Sequence, residues 1–445
     1  MNAGLRKSTA LLTAVVAAGV LASACKSNAS SGSSGGSSPA AANSAAANGS
    51  FSVDAANCPA DAKTALASGE TIKVGDVLAL SGPAAVAAGY AQGMKLYFDK
   101  VNAESNGVDG HKLQLIAKDD QYDPTKTVPQ VTSLLGQDHV FSIVGETGTV
   151  NAAAVQPAVE KSCTPQLEVI STSQFSDPAK HPWTTTAFAT AAAEAVVWAK
   201  YIAQEKPGAT VGYVAVDNDA GATYINQFST AAKTAGLKIV AGEKYALTAT
   251  NISSQITAVL AAKPDFVIGM VFNSVCAQVP NLLAQGGYTG GLIETTTCGS
   301  KAILGPLGDR ANNLVYAASF RDPTLPVNAD QADVKTFAAD ASKYGGSGFA
   351  VSSFTVVGYR LAKLYVDTLR AASALPGGLT RVNVMNAAWN LNTTLFDSYC
   401  GAAKTSGPAD PYVDECLAVL QYNATDGPKQ LTTFDAEGTT AKLGA

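Results

Sequence analysis

This 445-residue chain predicts an α/β protein of two similar lobes, and two observations carry that expectation. From Thr71 onward, β-rich apolar runs alternate with amphipathic helical stretches, the pattern of parallel sheets covered by helices. The same strand-helix-strand-helix-strand order then occurs a second time, with its own apolar strands. Each repeat reads as a Rossmann-like, three-layer sandwich.

In the first unit, strands are expected at 72–80, 112–118 and 140–144, with helices at 84–102 and 124–135 between them. Asp123-Pro124 opens the second of these helices: aspartate suits an N-cap, and proline suits the first helical position. The second unit places strands at 211–216, 237–241 and 266–271, separated by helices near 222–235 and 251–262. In the last helix, Ile252, Ile256, Val259 and Leu260 fall on one face at helical spacing. Helical stretches at 330–344, 353–373 and 382–390 follow, then a strand-like run at 417–422. These pieces must complete the two lobes, so the chain crosses between them more than once.

The N-terminus has a different character. Arg6 and Lys7 precede an uncharged run from Ser8 to Val20, and small residues lead to Cys25. That order is a secretory signal over 1–24, with an apolar part too short to span a bilayer. A cysteine directly after small residues resembles the bacterial lipobox, which implies lipidation of Cys25, although Ala22 stands where leucine is usual. Ser, Gly, Ala and Asn dominate from Lys26 to Ser50 and bury no core, so 25–69 is expected to be a flexible tether. The mature protein is expected as a soluble body held to the extracytoplasmic face of the cell membrane.

Composition narrows the function. The formal charge is −5, and Lys and Arg are scattered, so nucleic-acid binding is set aside. Besides Cys25 the chain carries Cys58, Cys163, Cys276, Cys298, Cys400 and Cys416, an even number that reads as disulfides in an exported protein. Sequence alone does not separate the possible pairings. Local spacing suggests Cys276 with Cys298 and Cys400 with Cys416, which leaves Cys58 for Cys163. A metal site is not expected, because there is no close Cys-x-x-Cys pair and His111, His139 and His181 are isolated. No cofactor motif is present either: a full Gly-x-Gly-x-x-Gly and a Gly-Lys-Ser/Thr are both missing.

Gly145-Glu146-Thr147-Gly148-Thr149 follows a buried strand and precedes a helical run from about Asn151. A glycine turn at a helix N-terminus offers unpaired N–H groups to an anion, and a plain βα turn is the competing reading. Asp119, Asp120 and Asp123 invite an acid-base role, but a structural role fits them better. No Gly-x-Ser-x-Gly elbow appears from Thr71 onward, where strands and helices are expected, which argues against a serine hydrolase.

Several stretches together resemble the substrate-binding proteins of ABC importers, in particular the branched-chain amino acid (leucine/isoleucine/valine) group with the type I periplasmic fold. They are Ile72-Lys73-Val74-Gly75 with Ser81-Gly82-Pro83, Asn102-Ala103, Gly107 to Leu113, Asp119 to Pro124, Phe141 to Gly145, Val169-Ile170-Ser171 and Pro264 to Val267. The resemblance implies two lobes joined by three crossovers that close as a hinge over a small ligand and present a surface to a permease. It also implies that Thr149, Ser173 and Gln174 hold a ligand carboxylate and that Phe272 walls the pocket. The usual Tyr-Gly pair is replaced by Ala220-Gly221. The usual acidic contact is replaced by Thr296, with Glu294 two residues earlier.

The expected function is therefore a non-enzymatic, monomeric receptor that captures a small polar solute, such as an amino acid or amide, for an ABC permease. Its ligand contacts are expected to be Ser81, Thr149, Ser173 and Gln174 from the first lobe and Asp217, Phe272 and Thr296 from the second. The lobes are expected at 70–186 plus 322–378 and at 187–321 plus 379–445. A sensor reporting to a membrane partner, and a cell-envelope hydrolase, are the alternatives.

Overall fold

Buried strands and covering helices alternate through most of the chain. The computed structural model describes residues 50–82, 84–171, 175–186, 189–438 and 440. The export segment, Cys25 and the tether up to residue 49 lie outside the described residues, as do Ser173 and Gln174.

The first part runs β1 (Ile72–Leu78), α1 (Ala88–Ser105), β2 (Leu113–Asp119), α2 (Pro124–Ser133), β3 (Ser142–Val144), α3 (Thr149–Ser162), β4 (Gln166–Val169) and β5 (Thr184–Thr186). Its strands form one parallel sheet in the order β2-β1-β3-β4-β5. The chain continues through α4 (Ala191–Glu205), β6 (Thr210–Val216), α5 (Asp219–Thr234), β7 (Lys238–Tyr245), α6 (Ser253–Ala261) and β8 (Phe266–Met270). Next come α7 (Gln278–Gln285), β9 (Gly291–Glu294), the single turn α8 (Lys301–Leu304) and β10 (Leu314–Ala318). Then α9 (Ala332–Tyr344), α10 (Ser353–Ser373) and α11 (Arg381–Ala388) lead to the small hairpin of β11 (Asn392–Thr394) and β12 (Ala402–Lys404). β13 (Cys416–Gln421) and β14 (Lys429–Asp435) close the chain. The second sheet has the order β14-β13-β10-β9-β8-β6-β7, parallel from β7 to β10 and antiparallel at β13 and β14.

Local chemistry sets many of the boundaries. Asp123 caps α2 by accepting the Thr125 N–H at 2.9 Å, with Pro124 in the first turn as expected. Ser352 and Thr355 form a capping box on α10. Five positions run buried to the end of β1, as a strand covered on both faces requires. α1 and α10 cross at very short range through glycine. A Cβ on Gly93 would stand 1.9 Å from the Thr355 carbonyl oxygen, and one on Gly358 1.9 Å from that of Tyr90. This close crossing brings the rings of Tyr90 and Phe354 to 5.3 Å.

Two expected boundaries move. The tether was expected to run to residue 69, but Val53, Cys58 and Ala62 are buried in the core of the first sheet. The Phe51 and Val53 N–H groups bond to Asn390 and Asn386 at 3.0 and 2.9 Å. Low-complexity composition ends at Ser50, and the apolar side chains after it have surface to bury. Residues from 379 onward were expected in the second lobe. Leu379, Val384, Met385, Trp389, Leu391, Leu395, Phe396 and Ala403 pack instead into the first core, and β13 and β14 join the second sheet.

The disulfides are Cys58–Cys163, Cys276–Cys298 and Cys400–Cys416, with Cα separations of 5.6, 5.4 and 5.8 Å. The first ties the N-terminal strap to the end of α3.

The chain passes between the two sheets after β5, after β10 and before β13. Buried Arg360 on α10 ties the last two passages together: its Nη1 donates to the Ser319 carbonyl at 2.7 Å, and its Nη2 pairs with Asp414.

Candidate functional site

The C-terminal ends of the parallel strands gather the polar residues of the first lobe. Gly148 precedes α3 with φ +115°, a backbone shape that glycine adopts freely, and the Tyr122 ring and the Asn151 side chain fill the space beside it. Two backbone bonds pin the turn to β4: Gly148 N–H to Ile170 O at 3.0 Å, and Ile170 N–H to Glu146 O at 2.9 Å. Thr149 is therefore fixed at the first residue of a 14-residue helix, buried, with the positive end of the helix dipole around it.

Beneath this turn lie three buried carboxyls. Glu146 accepts from Gln166 Nε2 at 2.5 Å, and burial pushes its carboxyl up to about 8. Asp76 on β1 has no hydrogen-bond partner for either oxygen; burial first, and then the neighbouring Glu146, raises it well above the usual carboxylate range. Asp120 is fully engaged, accepting from Thr127, Asn151 and the Tyr122 N–H at 2.8 to 2.9 Å.

Ser81 staples the loop after β1. Its hydroxyl donates to Asp119 at 2.5 Å, the Leu80 and Ser81 N–H groups bond the same carboxylate, and Gln121 donates to the Ser81 oxygen at 3.2 Å. The Ser81 hydrogen bond leads the contacts that hold Asp119 below the ordinary carboxylate range.

The second lobe is organised by a residue that sequence reasoning missed. Glu194, in the first turn of α4, is buried and bridges two elements: it accepts from the Tyr224 hydroxyl on α5 at 2.8 Å and from the Thr296 N–H at 2.9 Å. Burial raises its carboxyl to about 7 against the opposing pull of those bonds. The Tyr224 ring lies 6.0 Å from Phe272, so Phe272, Tyr224, Glu194 and Thr296 form one contiguous patch. Asp217 stands apart, exposed, and pairs with Lys244 at 3.1 Å. The signal for Glu194 was present in the sequence: one carboxylate inside the otherwise apolar run Ala191 to Val197.

A cavity of about 90 Å³ opens between the lobes. Tyr90 of α1 and Ser353, Phe354 and Val357 of α10 wall it on the first-lobe side; Thr296, Ser300, Tyr316 and Leu420 wall it on the other, and Phe320 and Asp322 of a crossover close it. Of the expected contacts, Thr296 lines this cavity; Ser81, Thr149, Asp217 and Phe272 are not among its walls. Tyr122 connects the two regions, since it lies against Gly148 and packs in the same small apolar cluster as Tyr90. Glu294, two residues before Thr296, is fully buried with neither oxygen bonded.

Other chemistries find less support. The carboxyl oxygens of Asp410, Glu415 and Glu437 come within 4.8 Å of one another, but the Gly438 and Thr440 N–H groups already bond Glu415. His111 and His181 bond the Glu70 carbonyl and the Gln156 side chain rather than a serine hydroxyl, and His139 lies exposed. Among the described residues no helix is long and apolar enough to cross a membrane.

Comparison with known proteins agrees with this geometry. Solved structures with the same fold include a branched-chain amino acid ABC transporter protein from Thermus thermophilus with bound valine. It is 19% identical with a TM-score of 0.72, and the match covers 85% of this chain and 99% of that one. A fatty acid ABC transporter substrate-binding protein from Thermomonospora curvata is 20% identical with a TM-score of 0.71, over 85% of this chain and 95% of that one. A solute-binding protein from R. palustris in complex with 4-hydroxybenzoate is 20% identical with a TM-score of 0.70, over 82% and 97%. Among curated proteins none matches. The periplasmic binding protein family model matches residues 71–428, and this chain belongs to that family.

Proposed function

We propose that this protein is the extracytoplasmic receptor of an ABC importer, capturing a small polar or amphipathic solute between its lobes and delivering it to a permease. The observation that carries this reading is the cavity whose walls come from both lobes, Tyr90 and Phe354 on one side and Thr296 and Tyr316 on the other. A ligand shifts a hinge toward closure only when it binds the closed state better, and a molecule touching both walls does so. A micromolar ligand supplies about 8 kcal/mol in total, ample for a hinge that costs a few. In this reading Thr149, Ser81, Ser173 and Gln174 serve the polar end of the solute, and Thr296, Phe272 and Asp217 the opposing lobe. The protein acts as a monomer held by a lipidated Cys25 after removal of residues 1–24, with residues up to 49 as the leash. The names of the neighbours, with bound valine and with 4-hydroxybenzoate, support small solutes as ligands.

The test is a thermal-shift screen of amino acids, amides, aromatic acids and polyols, since a ligand that binds only the folded state raises apparent stability by mass action. At least one compound is expected to shift the melting temperature and, by small-angle scattering, to compact the protein. Silence across the whole panel would overturn the receptor reading.

A further inference from the structure

The walls of the interlobe cavity are specific about what they accept. Tyr90, Tyr316, Phe320 and Phe354 supply aromatic faces, and Leu325, Val357 and Leu420 supply aliphatic surface. Among the described residues that line it there is no lysine, arginine or histidine. Asp322 is the one carboxylate among the described lining residues, with one oxygen accepting from the Thr324 N–H and hydroxyl at 2.8 and 2.7 Å. The Ser300 hydroxyl is buried at the wall with no hydrogen-bond partner. Such a site welcomes an apolar ring, offers acceptors to a hydroxyl donor, and opposes an anion, because a carboxylate inside would face Asp322 with no compensating cation.

We infer that this cavity is a subsite for an uncharged aromatic ring bearing a hydroxyl, with Ser300 and Asp322 as its polar contacts, and that any acidic group of the ligand stays outside it. This rests on the receptor reading and adds the chemical class of the bound body. Orphaned hydroxyls in apolar walls are costly, and a ligand hydroxyl relieves the one on Ser300. The arrangement discriminates by charge as well as by shape: the ring fills the space between the wall built by α1 and α10 and the wall of Thr296, Tyr316 and Leu420, and Asp322 repels carboxylates.

Binding of 4-ethylphenol, benzoate and L-valine to the purified protein, measured by calorimetry and thermal shift, tests this. 4-Ethylphenol is expected to bind at least about tenfold more tightly than benzoate, the penalty of an uncompensated buried charge. Asp322→Asn, which keeps an acceptor for Thr324, should narrow that ratio by improving benzoate. Val357→Phe should fill the space and weaken 4-ethylphenol by about tenfold; Ser300→Ala, which keeps the volume and endangers folding less, should weaken it by a smaller factor. Failure of 4-ethylphenol to bind the unmodified protein, or an Asp322→Asn ratio equal to that of the unmodified protein, overturns the subsite. If L-valine or another member of the broader panel still binds, the receptor reading survives that failure; if nothing does, both fall.

Discussion

Beneath the turn that opens α3, burial keeps carboxyls neutral that would be charged in water. Glu146 titrates near 8 in the fold, against about 4.5 for an ordinary glutamate. The folded chain thus keeps a proton that the unfolded chain releases. The stability this contributes is fully present below about pH 4.5 and is lost as pH rises toward 8, at about 1.4 kcal/mol per pH unit for one proton. Asp76 and Glu194 act in the same direction. The melting temperature should therefore fall between pH 5 and 8, and Glu146→Gln, which mimics the neutral acid, should flatten part of that slope; an unchanged slope would show that Glu146 is ionised in the fold. Glu146 stood in the sequence inside a glycine turn that signalled an anion site, but its burial was invisible there, because a side chain's depth depends on strands far away in sequence. Glu194 did carry a local signal, a carboxylate inside an apolar run, but its partners Tyr224 and Thr296 were hidden, lying 30 and 102 residues away.

Among the elements, those with local signatures were legible. α2 begins at the expected Asp123 cap, and α10 spans the expected Ser353–Ser373. α4 has no polar stripe, since 11 of its 15 residues are buried, and so it showed no helical period. β4 and β5 carry Gln166, Glu168 and Thr184 to Thr186, polar residues that are buried in spite of their type, and an apolar-run search passes over them. The crossing of α1 and α10 depends on Gly93, so Gly93→Ala should destabilise the fold by about 1–3 kcal/mol or more in denaturant titration, by forcing backbone apart. The strap of residues 51–66 depends on Cys58–Cys163, which are 105 residues apart in sequence. Replacing both cysteines by serine should cost about 2–5 kcal/mol, and proteolysis should then reach the strap first.

For the molecule as a whole, Arg360 holds two of the passages between the lobes on one buried cation. Removing it strands Asp414 in the interior, so Arg360→Met should cost about 3–5 kcal/mol. Arg360→Met with Asp414→Leu should recover much of that loss, since an apolar pair replaces the orphaned charge. If the double variant is as unstable as the single one, the ion pair is not the reason for the loss.

The sequence by itself determined the repeated strand-helix order, the Asp123 cap of α2 and the Cys276–Cys298 and Cys400–Cys416 pairs that spacing suggested, because each of these is written in a short stretch of chain. Tertiary structure alone decided that residues 51–66 and 379–403 complete the first core, that Glu194 organises the second lobe, and that a cavity lies between Tyr90, Phe354, Thr296 and Tyr316. Those features join side chains from distant segments, and long-range packing of apolar surface, rather than local propensity, chooses which segments meet.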